Sequence, residues 1–549
     1  MSETSVNLDA AVEHRVVDLV DIESARQIFA LANSVKNRTR SDQAFLLAAL
    51  VLHSFREGHA CLDLENIDTW RGEHGTEIAW PTDASSWMKT LGENSDVFGQ
   101  PAEVQDLPRP PFVVEGGLVY ISRVFQEEVD IAQRLVAASG STVTVVLGGP
   151  GTGKTRWVAE QLGAMTSGNV PSLALCAPTG KASRHLKAVL DKRLRESGAS
   201  EDVLDALQHA PSTTAHKLLG YHPARTPKFR YGRHEPLPYK LVIVDEASMM
   251  SLSMMNRLLL SLRPDAHLWL VGDPDQLASV EAGSVLADIA RGAKRSDSVL
   301  NSRFIELTKQ HRFDADSPIA QLAAAVRDGD IAKARTILNT PHPDFLWIDP
   351  QKEPEKLATL QSEVVNHARL VLEAAESGDI EGALTAKTKL QVLSSTRDGH
   401  LGVYDWNQTV EARLGPSTSK RWYAGRPVLI TRNDSSTGLA NGDVGVICNV
   451  DGHPRASFGD PQDPTTIALA RLPESDTVHA LTIHKSQGSE YEHVVVVLPQ
   501  SHSRIVTREL LYTGITRPQK KLTLVATIES IEAAIMTPIR RATGLAGRL

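Results

Sequence analysis

Residues Gly148-Gly149-Pro150-Gly151-Thr152-Gly153-Lys154-Thr155 follow the largely β-branched run Val143-Thr144-Val145-Val146-Leu147 and lead into a helix-compatible stretch, 156–162. The spacing satisfies G-x-x-x-x-G-K-[ST], a phosphate-binding loop set between a strand and a helix. Glycines at these positions let backbone N–H groups turn toward phosphate oxygens, while Lys154 reaches the β- and γ-phosphates and the Thr155 hydroxyl is placed for Mg²⁺. The positive end of the following helix favours the same anion. A glycine turn without a ligand would not need strand, full motif and helix together. ATP, with Mg²⁺ as cofactor, is therefore the expected ligand, and the chain is organised around this site.

At 549 residues the chain exceeds what one hydrophobic core serves, so several domains are expected. A content of 41% hydrophobic and 23% charged residues is that of an ordinary globular protein. The formal net charge of −8 argues against a protein that coats nucleic acid by global charge and leaves room for local basic grooves. The longest apolar run, 44–52, is far shorter than the ~20 residues a bilayer span needs. The N-terminus has neither a basic nor an apolar leader region, so a cytoplasmic protein without a membrane partner is expected. Cys61, Cys176 and Cys448 are scattered and form neither a disulfide framework nor a zinc motif; they read as buried small hydrophobes.

From 116 to about 300, strand and helix patterns alternate as a parallel sheet with crossover helices requires, with candidate strands at 143–147, 172–177, 241–244 and 267–271. Each ends in a polar loop, where open α/β sheets bind ligands. Pro178-Thr179-Gly180-Lys181 supplies hydroxyl, glycine and cation for phosphates along a nucleic-acid strand. Asp245-Glu246 closes the apolar run 241–244; Asp245 suits the Mg²⁺ shell, and Glu246 a water in line with the γ-phosphate. Gln276, in Asp273-Pro274-Asp275-Gln276, can bond that phosphate or water. Arg312, in Gln310-His311-Arg312, is a candidate arginine finger. Met249, Met250, Met254 and Met255 read as core filler. Around 220–238, basic residues alternate with aromatics in Lys228-Phe229-Arg230-Tyr231-Gly232-Arg233, which suggests an inserted hairpin able to stack bases.

Residues 1–115 read as a mostly helical docking module. Ser41 can cap a helix over 42–56 whose centre, 45–52, is apolar nearly all round, and a second helix over 24–35 can pack on it. The proline-rich segment 100–111 suits a linker. From 301 to 549 a second α/β lobe is expected, with helices at 319–337 and 354–376 and strands at 390–395, 494–498 and 522–526. Within it, 415–478 is β-patterned, and Asn441-Gly442 between two β-branched runs is a hairpin signal pointing to a small barrel. The stretch Leu481-Thr482-Ile483-His484-Lys485-Ser486-Gln487-Gly488-Ser489-Glu490 carries hydroxyl, imidazole and amide groups able to grip a backbone and a nucleotide. A helix over 508–517 ends in Thr516-Arg517, directed back at the ATP.

Taken in chain order, the loop at 148, Ala-Pro-Thr-Gly-Lys-Ala at 177, Thr-Ala-His at 214 and Val-Asp-Glu-Ala-Ser-Met at 244 begin a longer series. Gly-Asp-Pro-Asp-Gln-Leu at 272, Gln-His-Arg at 310, the stretch at 481 and Tyr-Thr-Gly-Ile-Thr-Arg at 512 complete it. The series resembles the motifs of superfamily-one DNA helicases of the 5′→3′ class, and within them the RecD subunits of bacterial RecBCD (exodeoxyribonuclease V). The resemblance implies two RecA-like P-loop motor domains, a helical N-terminal domain and an SH3-like β-barrel insert. It implies an ATP-dependent 5′→3′ translocase on single-stranded DNA, acting in double-strand-break repair on DNA with a 5′ single-stranded end. It also implies a heterotrimer with RecB-like and RecC-like subunits. By motif match, Lys154, Glu246, Gln276, Arg312 and Arg517 would be catalytic; Glu490 and either Gln126 or Gln133 would complete the ATP site. Pro178, Thr179, Lys181, His216, Asn441, Thr482 and His484 would touch DNA. No E-x-K pattern of a metal-dependent nuclease occurs, so DNA cleavage is expected from a partner. A stand-alone helicase of the related RecD-like group and a non-translocating ATP-switch adaptor are the alternatives.

Overall fold

The computed structural model describes residues 6–33, 40–67, 84–105, 109–136, 142–165, 168–221, 229–296, 298–314, 316–415, 418, 420–434, 436–499, 503 and 505–549. In the N-terminal module, helix Asp42–Arg56 starts where Ser41 accepts a hydrogen bond from the Ala44 N–H at 3.3 Å, satisfying a first-turn donor. Leu46 to Val51 are all buried, against helix Leu19–Asn33 and its Phe29. The module also holds a sheet. Strands β1 (Cys61–Asp63), β2 (Phe98–Gly99), β3 (Phe112–Glu115) and β4 (Leu118–Ile121) take the order β1-β4-β3-β2. The proline-rich segment is therefore internal, containing a 3₁₀ turn, Pro101–Gln105, between β2 and β3. A boundary at 115 would cut the β3–β4 hairpin, whose turn needs the positive φ of Gly116 and Gly117, so the module ends at Ile121.

The first motor sheet comprises β5 (Thr142–Gly148), β6 (Leu173–Ala177), β7 (Ser212–Thr214), β8 (Leu241–Val244), β9 (His267–Gly272) and β10 (Phe304–Leu307). Its order is β10-β5-β9-β8-β6-β7, all parallel. Because β10 pairs with β5, the first lobe runs past 300 to Leu307. Both faces are covered, as the apolar strands require, and Met250, Met254 and Met255 fill its core. Residues 229–238 of the expected basic hairpin contain no strand, and 222–228 lie outside the described residues.

The second lobe carries β11 (Phe345–Ile348) and β12 (Leu390–Ser394). The chain then forms the inserted strands β13 (Pro427–Ile430), β14 (Val444–Val450), β15 (His453–Asp460), β16 (Asp463–Ala468) and β17 (Ser475–Thr477), before β18 (Ala480–Thr482), β19 (Tyr491–Val497) and β20 (Pro518–Val525). The motor sheet is parallel, β11-β20-β19-β12-β18; the insert is antiparallel, β16-β15-β14-β13-β17, around its own core of Val428, Ile430, Ile447 and Phe458. The expected helix over 319–337 is two helices, Pro318–Asp328 and Ile331–Leu338, separated at Gly329 with φ +75°. No described helix is long and apolar enough to cross a membrane.

The last nine residues return to the first lobe. Arg541 donates to the carbonyls of Glu281 and Gly283, both at 2.8 Å, and Ala60 N–H to the Ala542 carbonyl at 2.9 Å. Leu545 and Leu549 are buried in the first lobe's core. Thr543 donates to buried Glu128 at 2.7 Å, and Arg548 pairs with Glu115.

Candidate nucleotide and nucleic-acid site

The loop 148–155 leaves the C-terminal end of β5, with Gly151 at φ +78° and Gly153 at φ +89°, conformations that let successive N–H groups face one way. Helix Lys154–Gly163 starts directly from it, and Thr155 is half-buried in its first turn. The Lys154 ammonium is held by the Gly148 carbonyl at 2.6 Å and the Gly149 carbonyl at 3.1 Å. Gln310, His311 and Arg312 pack on the loop: His311 N–H donates to the Gly151 carbonyl at 2.8 Å. A Cβ on Gly151 would lie 2.5 Å from the Arg312 Cβ.

Asp245 and Glu246 directly follow β8. The Asp245 side chain accepts from the Glu246 N–H at 2.9 Å, and Glu246 takes φ +51°, a strained conformation for a residue with a Cβ. Burial pushes the Asp245 carboxyl up to about 6, reinforced by the Glu246 charge and opposed by Lys154. A half-buried carboxylate pair beside an ammonium is a donor set suited to a hard divalent cation.

Gln276 and Arg517 meet across the lobes. Arg517, 4% exposed, donates through Nη2 to Gln276 Oε1, while the Gln276 amide donates to Asp273 at 2.9 Å. Asp273, fully buried, also accepts from the Asp275 N–H at 3.1 Å and so fixes the loop carrying Gln276. Thr513 accepts from the Leu277 N–H at 3.1 Å, and Gln487 donates to the Leu277 carbonyl at 3.1 Å. Arg312 pairs with Glu490 and donates to the Thr516 carbonyl at 3.2 Å. Two arginines, one from the connection between lobes and one from the second lobe, thus converge on the loop and on Gln276. The Gln126 amide donates to Asp130 at 3.0 Å, on helix Ser122–Val136, and Gln133 is exposed on the same helix.

The nucleic-acid candidates fall into two groups. Pro178 and Thr179 follow β6, Thr214 ends β7 with His216 two residues on, and the register Ala177↔Thr214 sets the two strand ends side by side. Thr179 caps helix Gly180–Glu196 by accepting from Ala182 N–H at 3.2 Å. His216 is exposed beside Tyr221 and Phe229, with centroids 5.7 and 6.0 Å away, and Arg257 lies 4.5 Å over the Phe229 ring. Lys181 donates to Ser489 of the second lobe at 2.8 Å, and Arg184 pairs with Asp443 of the inserted sheet, beside exposed Asn441. Burial lowers the Lys181 ammonium, with Asp443 opposing. Thr482 and Lys485 line a cleft of about 290 Å³ beside helix Val403–Leu414, and His484 is exposed next to them. Sequence reasoning did not single out Asp273, Gln310, Ser489, Tyr512 or Thr513. All five lie inside the motifs of the series; Asp273 serves its own loop, whereas Gln310, Ser489, Tyr512 and Thr513 meet residues distant in sequence.

Residues 126–341 match the family model of an AAA domain, 477–525 a UvrD-like helicase C-terminal domain, and 13–120 the N-terminal domain of RecBCD enzyme subunit RecD. The RecBCD enzyme subunit RecD of Mycolicibacterium smegmatis is 36% identical over 97% of this chain and 98% of its own length. That of Mycobacterium tuberculosis is 35% identical over 97% and 95%. The ATP-dependent RecD2 DNA helicase of Deinococcus radiodurans is 31% identical over 72% of this chain and 48% of its own. Among solved structures, Bacteroides Pif1 bound to single-stranded DNA is 15% identical with a TM-score of 0.37, covering 73% of this chain and 93% of that one.

Proposed function

Because this chain belongs to the RecD family and is an ATP-dependent DNA helicase, we propose that it is the 5′→3′ motor of a RecBCD-type repair helicase-nuclease. It works in the cytoplasm with RecB-like and RecC-like subunits, on DNA with a 5′ single-stranded end. The observation that carries the motor reading is the bond from Arg517 of the second lobe to Gln276 of the first, with Arg312 packed on the phosphate loop. ATP binding at residues 148–155 would tie both arginines to the same phosphates and draw the lobes together. Loss of the γ-phosphate would release them.

Lys154 neutralises the β- and γ-phosphates, and Glu246, aimed by its left-handed backbone, orients the attacking water. Gln276, fixed by Asp273, contacts the γ-phosphate, and Arg312 and Arg517 stabilise charge in the transition state. Glu490 sets the Arg312 fork, and Gln126 or Gln133 reads the base. Thr155 and Asp245 would hold Mg²⁺, which neutralises phosphate charge when bound. Pro178, Thr179, Lys181 and His216 on one lobe, with Asn441, Thr482 and His484 on the other, grip the strand in alternation as the cleft between lobes opens and closes. The match to at least 95% of the length of two RecD subunits, together with that of residues 13–120 to the RecD N-terminal domain, favours the subunit over a stand-alone enzyme. Cleavage of DNA then falls to a partner.

The test is unwinding of duplexes carrying a 5′ or a 3′ single-stranded tail, with DNA-stimulated ATPase measured alongside. The 5′-tailed substrate is expected to be opened, and Glu246→Gln to lower hydrolysis by roughly 10³-fold while nucleotide still binds. Preference for the 3′ tail, or a Glu246→Gln protein hydrolysing at the wild-type rate, would defeat the reading.

A further inference from the structure

Behind Gln276 lies a cavity of about 270 Å³ between the two lobes. Its lining includes Ser248, Asp275, Gln276 and Tyr512 but none of residues 148–155, nor Asp245, Glu246, Arg312 or Arg517, so it is separate from the nucleotide site. It shares a wall with that site: the Tyr512 hydroxyl lies 3.0 Å from where a Cβ of Gly149 would stand, and Gln276 bonds Arg517. Five cations, Arg291, Lys294, Arg327, Arg508 and Arg541, line it against two carboxylates, Asp275 and Glu509. Carboxylates outside the lining match Arg291, Lys294 and Arg327. Arg508 instead donates to the Ile535 carbonyl at 2.8 Å, and Arg541 to two carbonyls, so among the described residues neither guanidinium has an ion pair. Ser248, 5% exposed and two residues after Glu246, has a buried Oγ without a hydrogen-bond partner. Such a buried hydroxyl needs explaining. Planar cations without an ion pair, lining the same cavity as that hydroxyl, are what recognises a tetrahedral oxyanion, and the cavity is smaller than the ~300–1,000 Å³ typical of drug-sized ligands.

We propose that this cavity binds inorganic phosphate on its way out of the hydrolysis site, past Gln276 and Tyr512. The inference rests on ATP hydrolysis at residues 148–155. Phosphate held there keeps its charge beside Gln276 after the bond has broken, so its departure, and not cleavage, frees the lobes to separate.

The probe is inorganic phosphate itself, added to the DNA-stimulated ATPase of the full chain, with phosphate release followed by a fluorescent sensor and cleavage by acid quench. Added phosphate should inhibit non-competitively with ATP, and release should lag cleavage. Ser248→Ala and Arg508→Gln should each weaken that inhibition by about tenfold, the loss of one charged or buried hydrogen bond, and shorten the lag. Arg508→Lys should restore much of both, which a folding defect would not. Purely competitive inhibition would place phosphate at the loop and overturn the proposal, as would inhibition unchanged in both variants. Weakened inhibition with an unchanged lag would mean that the cavity takes phosphate only from bulk solution, which overturns the exit role. An unmutated chain that hydrolyses no ATP would refute the underlying reading instead.

Discussion

Replacing Gly151 by alanine tests whether the phosphate loop and Arg312 act as one unit. The new Cβ would stand 2.5 Å from the Arg312 Cβ and 3.0 Å from Gln310 Oε1, against ordinary contacts of 3.4–4 Å, so one side must retreat by roughly 1 Å. Gly151 also sits at φ +78°, where a Cβ costs about 1–2 kcal/mol. In a lobe of this size that strain lowers Tm by about 2–8 °C, which leaves the protein folded. A displacement near 1 Å of a transition-state group costs about 10²-fold in rate. Gly151→Ala is therefore expected to bind a fluorescent ATP analogue within a few-fold of wild type, while DNA-stimulated kcat falls about 100-fold. Added to Arg312→Ala, the same change should cost little more, because the arginine it displaces is already gone. A Gly151→Ala enzyme with kcat within about threefold of wild type, or losses that simply add in the double variant, would refute the coupling.

Leu545, 0% exposed in the first lobe's core although it lies in the C-terminal tail, should cost ~2–5 kcal/mol on replacement by alanine, lowering the calorimetric Tm by about 5–15 °C. Met536→Ala, 63% exposed, should move it by no more than about 1–2 °C, and equal shifts for the two would remove the tail from the core. Burial pushes the Asp288 carboxyl up to about 7, with Arg291 opposing and Glu128 reinforcing. The folded state therefore binds this proton more tightly than the unfolded chain, and the group's effect is a loss of stability as pH rises from about 4 to 7. Urea denaturation at pH 5 and pH 8 should show that loss in the wild type and a smaller one in Asp288→Asn; parallel changes would contradict it.

The motor sheets were legible because their strands are continuous apolar runs ending in chemistry, as at 241–244 before Asp245-Glu246. Helix Asp42–Arg56, with its Ser41 cap, was equally plain. Phe98–Gly99 has only two residues, and Phe304–Leu307 is interrupted by Glu306, so neither shows a continuous apolar run, and the N-terminal sheet and the true end of the first lobe stayed hidden. At the site, residue types and spacing named Gln276 and Arg517, but no local pattern shows that these two side chains touch. The same holds for Lys181 and Ser489, whose hydrogen bond spans the two lobes. Gly329 carried a signal that went unread: a glycine followed by an aspartate cap, Asp330, splits the expected helix in two.

Synthesis delivers this chain from its N-terminus, yet the first lobe's core includes Leu545 and Leu549. Glu128, buried in that lobe, obtains its Thr543 and Gly544 donors only from the same tail. After Leu307 closes the first sheet, residues 308–545 must be made before Leu545 can pack, which at about 5–20 residues per second takes roughly 10–50 s. Throughout that interval the half that carries the phosphate loop has an open groove where the tail belongs and an acid without its donors. The nascent lobe is thus exposed to chaperones and proteases until residues 541–549 have been made, and its core closes only after the second lobe has been synthesised.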